Sequence, residues 1–258
     1  MTPWQATPPP NLQQTDVCIT AGDCQVGFRV TIPAILNWLQ EAAGNHADAL
    51  GVGIQTLQAQ GLTWMLGRVS LRLHRAPVWG DRLTLVTWPS GIRGRLVAER
   101  QFGIVNAVGE LLMEASSEWL CVNLATGKLA PLPEAVKALA APETVAFHLC
   151  AGKFPTPPAS TPPSNTITIT ARKAEIDANL HVNNVHLAAW LREPLPDERF
   201  FQETPTTFDI EYKRPAHAGD IVTAALWPLT ENTYLHHLLT PDGALLARAQ
   251  STYTPVNL

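Results

Sequence analysis

Residues 75–81 read Arg75-Ala76-Pro77-Val78-Trp79-Gly80-Asp81, and residues 214–220 read Arg214-Pro215-Ala216-His217-Ala218-Gly219-Asp220. Each run opens a strand-like stretch, and the two stand 139 residues apart. A second pair of landmarks, Trp38 and Trp190, falls in two helix-like stretches 152 residues apart. Two matched pairs in the same order read as an internal duplication. The smaller spacing of the strand pair predicts a second helix and following loop shorter than the first, with Pro194 and Pro196 ending that helix early.

The elements around these landmarks repeat. In the first half, Thr31–Leu50 carries Ile35, Leu39, Ala42, His46 and Ala49 on one helical face, with Leu36 and Ala43 beside it. Thr31 can cap this helix, Pro33 suits its first turn, and Gly51 and Gly53 stop it. Strands are expected at 62–75, 81–88, 95–105 and 109–124; Val69, Leu71 and Leu73 alternate with Ser70, Arg72 and His74 as in a half-buried strand. In the second half a strand at 166–172 precedes a short helix at 183–191, and strands follow at 206–213, 220–228, 232–240 and 244–254. One helix before each set of turn-linked strands gives an α+β chain of two antiparallel sheets, each wrapped around a central helix.

Residues 154–164, FPTPPASTPPS, hold five prolines, which suit an extended linker and neither a helix nor a central strand. The expected division is a tail at 1–14, a first unit at 15–130, a proline-rich linker at 131–164 and a second unit at 165–258. The 258 residues are 46% hydrophobic and 16% charged, which describes a globular protein. The net charge of −4 argues against bulk nucleic-acid binding, and no apolar run is long enough for a membrane span. The first residues lack a basic start and an apolar core, so no secretory signal is expected. Cys18, Cys24, Cys121 and Cys150 make no metal-ligand spacing and read as reduced thiols of a cytoplasmic protein, without metal or cofactor. Residues 61–105 carry seven arginines, from Arg68 to Arg100, against Asp81 and Glu99; this window is a candidate landing patch for an acidic partner.

The chemistry concentrates in Glu175–Trp190. Asp177, Asn179 and His181 alternate where a strand-like stretch leads into the short helix, so in an extended lead-in they face one way. Asn183 can cap that helix, and its free N–H groups, with Asn184 at its start, could hold an oxyanion or a thioester carbonyl. A histidine near a helix N-terminus favours the neutral form that a general base needs. At the 152-residue offset the first-half counterparts are Gln25, Gly27 and Arg29, so one active site per chain is expected.

These residues resemble the acyl-acyl carrier protein thioesterases of plants and bacteria. The likeness covers about residues 25–255, through DANLHVNNVHLAAW (177–190), LQEAAGNHADALG (39–51), LTWMLGRVSLRLHRAPVWGDRLTLVTW (62–88) and SSEWLCVNLATGKLAPLPEAV (116–136). The resemblance implies a tandem double hotdog. It also implies hydrolysis of a fatty acyl thioester held on acyl carrier protein, with the acyl chain in the first unit and the reacting groups in the second. The family's motif falls on Asp177, Asn179 and His181. Members usually carry a Glu three residues after the Tyr of Glu211-Tyr212-Lys213-Arg214-Pro215, and that position is Pro215 here. Glu211 lies roughly 13 Å back along the strand; His217 could approach the site through a bulge. The alternatives are an acyl-CoA thioesterase or a non-catalytic acyl-binding protein.

Trp64 and Met65 are expected to line an acyl tunnel. Glu41, Asn45 and His46 read as structural hydrogen-bonding groups, His236-His237 as a strand pair, and Cys121 as a buried strand residue. Association of two chains through their sheet edges, as a homodimer, is compatible with the sequence.

Overall fold

The computed structural model describes residues 8–140, 147, 149–150, 152–157 and 161–255. Residues 1–7 of the expected tail, and residues 141–146, 148, 151 and 158–160 of the expected linker, lie outside the described residues. The first half contains β1 (Gln13–Cys18), α1 (Ile32–Ala49), α2 (Ile54–Gln58), β2 (Leu62–Leu73), β3 (Arg82–Arg93), β4 (Val97–Asn106), β5 (Leu111–Asn123), β6 (Leu129–Ala130) and α3 (Glu134–Lys137). The second contains β7 (Asn165–Thr170), α4 (Asn184–Arg192), α5 (Asp197–Gln202), β8 (Glu203–Tyr212), β9 (Ile221–Pro228), β10 (Thr233–Leu239) and β11 (Leu245–Pro255). β1 begins within the expected tail, because Gln13–Cys18 pairs antiparallel with β3.

The two expected sheets are one. Eleven strands run in the order β1-β3-β4-β5-β2-β8-β11-β10-β9-β7, with β6 beside β5. The halves meet where β2 pairs antiparallel with β8, Arg68 opposite Glu211 and Arg72 opposite Thr207. Each of these strands would otherwise leave a row of unpaired N–H and C=O groups. Arg68 closes the seam with a bidentate ion pair to Asp209, which also accepts from the Ser70 hydroxyl at 2.8 Å.

α1 spans eighteen residues and α4 nine, as the landmark spacing predicts. Thr31 caps α1 by accepting from Ala34 N at 3.2 Å, and Asn183 caps α4 by accepting from Val185 N at 3.0 Å. Ile35, Leu36, Leu39 and Ala43 of α1 join Leu187, Ala188 and Leu191 of α4 in one core on one face of the sheet. On β8, Phe208 and Ile210 belong to that core, whereas Asp209 and Glu211 point to the opposite face. Part of the expected linker covers that opposite face: the Phe154 ring packs against the guanidinium groups of both Arg68 and Arg248, at 4.7 and 4.8 Å.

Candidate active site

The segment before α4 is not extended. Ile176 and Val182 form an antiparallel bridge, and the chain between them folds back with Leu180 at φ 62° and 74% exposed. The Asp177 carboxylate builds this loop: its Oδ1 accepts from Asn179 N at 2.8 Å and from His181 N at 3.2 Å. Asp177 N in turn donates to His181 O at 2.8 Å. Glu175 anchors the approach by accepting from the backbone and guanidinium of Arg172. Burial raises its carboxyl pKa, and the Arg172 contacts more than reverse this, leaving it below the usual carboxylate range.

This compact loop separates the three predicted residues. Asp177 and Asn179 line a cavity of about 390 Å³, and Asn184 joins them from the first turn of α4. His181 is not on that wall; its ring packs edge-to-face on His217, with centroids 5.1 Å apart. Asn183 is spent on the α4 cap rather than turned to the cavity. Among the described residues no hydrogen bond engages Asp177 Oδ2 or the Asn179 side-chain amide, so both are free to meet a ligand.

The opposite wall comes from the first half. Gln40, Glu41 and Asn45 of α1 share the cavity with Asp177 and Asn179. Its apolar lining is supplied by Val52, Trp64, Leu66, Trp119, Val136 and Leu139. Trp64 is held there by donating its indole N–H to Val52 O at 2.9 Å. Met65, expected beside it, points the other way and is 37% exposed, because neighbouring residues of a strand face opposite sides. The expectation that Glu41 and Asn45 make only structural hydrogen bonds missed their place on the wall. The signal was a polar stripe, Glu41, Asn45 and Asp48, at helical spacing beside the apolar one.

His46 and Arg100 form a buried polar pair at this wall. Arg100 Nη1 lies 2.9 Å from His46 Nδ1 and 3.1 Å from Thr87 Oγ1. Burial, and then the Arg100 charge, push the His46 pKa down to about 4, so its ring is the neutral acceptor. Burial also lowers the Arg100 pKa to about 10.

Glu211 faces away from the cavity, clamped by Arg248 Nε at 2.7 Å and Lys213 Nζ at 2.6 Å. Tyr212, its neighbour, points inward and donates to Asn184 O at 3.3 Å. His236 is fully buried between Leu191 O and Ser251 Oγ, both at 2.7 Å. The Cys121 thiol is buried and pushed up to about 11, far from a nucleophile's range. The arginine window is largely neutralised from within. Arg68, Arg72, Arg75 and Arg93 are ion-paired to Asp209, Glu114, Asp81 and Glu99 with Glu118, and Arg100 is buried. Only Arg82 and Arg95 of the seven are exposed without an ion pair among the described residues.

The pattern of the acyl-ACP thioesterase N-terminal domain matches residues 11–139, and that of the C-terminal domain matches 160–255. The chain belongs to the acyl-ACP thioesterase family. It is 26% identical over 246 residues to the chloroplastic oleoyl-acyl carrier protein thioesterase of Coriandrum sativum, covering 86% of this chain and 64% of that one. It is 30% identical over 243 residues to the chloroplastic dodecanoyl-[acyl-carrier-protein] hydrolase of Cinnamomum camphora, covering 87% and 63%. The chain thus spans under two thirds of the length of these relatives. The 12:0-ACP thioesterase of Umbellularia californica superposes with a TM-score of 0.84 at 23% identity, over 95% of this chain and 98% of that one. An acyl-ACP thioesterase of Bacteroides thetaiotaomicron gives 0.80 at 22%, over 98% and 100%. The fold is the α+β tandem double hotdog.

Proposed function

We propose that this protein hydrolyses fatty acyl thioesters carried on acyl carrier protein, releasing the fatty acid and the carrier thiol. The observation that carries the reading is the cavity itself. A cavity of about 390 Å³ with an apolar lining from the first half also holds a carboxylate and an amide, Asp177 and Asn179, beside the start of α4. The acyl chain lies against Trp64, Leu66 and Trp119, and the thioester carbonyl meets the Asn179 amide and the helix start. Asp177 Oδ2 takes a proton from the attacking water, whose oxygen forms the new C–O bond. The C–S bond then breaks, and His181, off the cavity wall at the far end of the same loop, gives its proton to the departing sulfur through an intervening water. The proton held by Asp177 returns through solvent to restore His181.

Hydrolysis of a C8–C18 series of acyl-acyl carrier protein and acyl-CoA thioesters tests this. The wild type should prefer the carrier protein, and Asp177→Asn and His181→Ala should each lose at least ~10²-fold in kcat. Equal use of CoA thioesters would reassign the carrier. Turnover undiminished in both variants would overturn the site, and a folded wild type inert on every thioester would make the protein an acyl-binding one.

A further inference from the structure

We propose that His217 is a positioning residue that fixes the imidazole of His181 at the end of the Asp177–His181 loop. The inference rests on the reading of His181 as the proton donor. Among the described residues no hydrogen bond or ion pair engages the His181 ring; its one ring contact is with His217, at 5.1 Å and an interplanar angle of 80°. In that arrangement the electropositive edge of one ring meets the face of the other, which sets orientation as well as contact.

The backbone that carries the partner ring is itself held. His217 N donates to Asp220 Oδ2 at 2.8 Å, and Asp220 N donates back to His217 O at 3.1 Å, closing a turn with Gly219 at φ 88°. The Nδ1 of His217 lies 3.7 Å from the same carboxylate oxygen. Val182 N donates to Ala216 O at 2.8 Å, which ties this turn directly to the loop that carries His181. His217 therefore reaches His181 from a second, separately anchored piece of backbone.

The first half shows what the same scaffold looks like without the pair. Val78 sits in the turn that matches His217, with Val78 N donating to Asp81 Oδ2 at 3.1 Å, and Val30 N donates to Pro77 O at 2.9 Å. Arg29 stands where His181 does, and its guanidinium leaves to donate to Phe201 O. A valine is thus compatible with this turn, and the His217 side chain is 57% exposed, so its replacement spares the fold.

The test uses the full chain with acyl-acyl carrier protein as substrate and compares His217→Val, His217→Phe, His181→Ala and the double variant His181→Ala with His217→Val. His217→Val should lower kcat about tenfold with KM within about twofold, the size of one lost orienting ring contact. His217→Phe, which keeps a ring edge in place, should recover most of that loss. In the double variant the second change should cost nothing further, the signature of two residues acting as one. The ring-proton resonances of His181 should move in His217→Val and stay near the wild-type positions in His217→Phe. Unchanged kcat in His217→Val, or a full additional loss in the double variant, would overturn the inference while leaving the proposed function standing. No loss in His181→Ala would overturn the inference together with the proton-donor role of His181 on which it rests.

Discussion

The loops that precede the two helices share a backbone and differ in chemistry. Thr20 and Asp23 frame one short turn and Arg172 and Glu175 the other, each through a side chain that accepts from the backbone three residues back. Cys24–Val30 and Ile176–Val182 form the same isolated bridge, and Phe28 and Leu180 both adopt positive φ, 56° and 62°. The turns 78–81 and 217–220 repeat too, with Gly80 and Gly219 at φ 95° and 88°, a conformation that glycine adopts without a Cβ penalty. On this common frame one loop carries Gln25, Gly27 and Arg29 and the other Asp177, Asn179 and His181. The helices diverge further. At the shared offset α4 ends where α1 reaches Gln40, so the last nine residues of α1 have no counterpart. Glu41, Gly44, Asn45, Ala47 and Asp48, all in that extension, line the cavity. The longer helix makes the pocket in one half, and the shorter helix presents its N-terminal end to it from the other.

The largest effect expected of this division is at the loops. Asp177→Ala, which removes a loop-forming acceptor and a free oxygen at once, should lower kcat by at least ~10²-fold, while Gln25→Ala stays within about twofold. Installing Gln25→Asp, Gly27→Asn and Arg29→His in a His181→Ala background should restore no turnover, because that loop faces a helix too short to build a pocket. Recovery of activity would break the comparison.

A smaller change is expected from the cavity wall. Leu66→Trp narrows the pocket and should cut kcat/KM for the longest acyl chains about tenfold relative to the shortest, since a misfitting methylene or two is worth about 1–3 kcal/mol. An unchanged chain-length profile would place the acyl chain elsewhere.

Stability should fall on acidification in both halves. Burial, and then the Arg100 charge, hold the His46 pKa near about 4; burial is also the largest cause for His236, at about 3, and His237, at about 4, all from an ordinary 6.5. The unfolded chain takes up these protons as pH drops through 6.5 while the folded chain does not, so the folded state loses stability from there down to about 4. Each such histidine adds up to about 1.4 kcal/mol per pH unit to the slope. Denaturant melts of His46→Gln and His236→Gln across pH 4–7 should show shallower slopes than wild type, and parallel curves would refute the assignment.

The smallest effect should come from the arginine window. Arg72→Gln, Arg75→Gln and Arg93→Gln each remove a charge that an internal carboxylate already neutralises, so KM for acyl-acyl carrier protein should change less than about threefold. A larger rise would return the window to the docking surface.

The duplication, the unequal helices and both caps were legible because they depend on spacing and on Thr31, Asn183 and the prolines, which act locally. The position of Asp177 and Asn179 beside a helix start was legible for the same reason. What periodicity could not give was the fold-back of the Asp177 loop, since a carboxylate accepting from two backbone N–H groups overrides strand alternation and separates His181 from the wall. Nor could it give the direction of Glu211, whose partners Arg248 and Lys213 are set by the pairing of β8 with β11 and by the opposite face. The contribution of Glu41 across the cavity required the two halves to be put together, a long-range fact.

The seam between β2 and β8 also shapes how the chain comes into being. About 130 residues separate the end of β2 from the start of β8. At ~5–20 residues per second, a ribosome takes roughly 7–26 seconds to deliver the partner strand. Throughout that interval one side of β2 is an open template for stray β-pairing. The charged side chains of Arg68 and Arg72 on that nascent edge oppose such pairing until Asp209 arrives to neutralise Arg68. Yield of soluble protein should therefore depend on how fast the second half is translated.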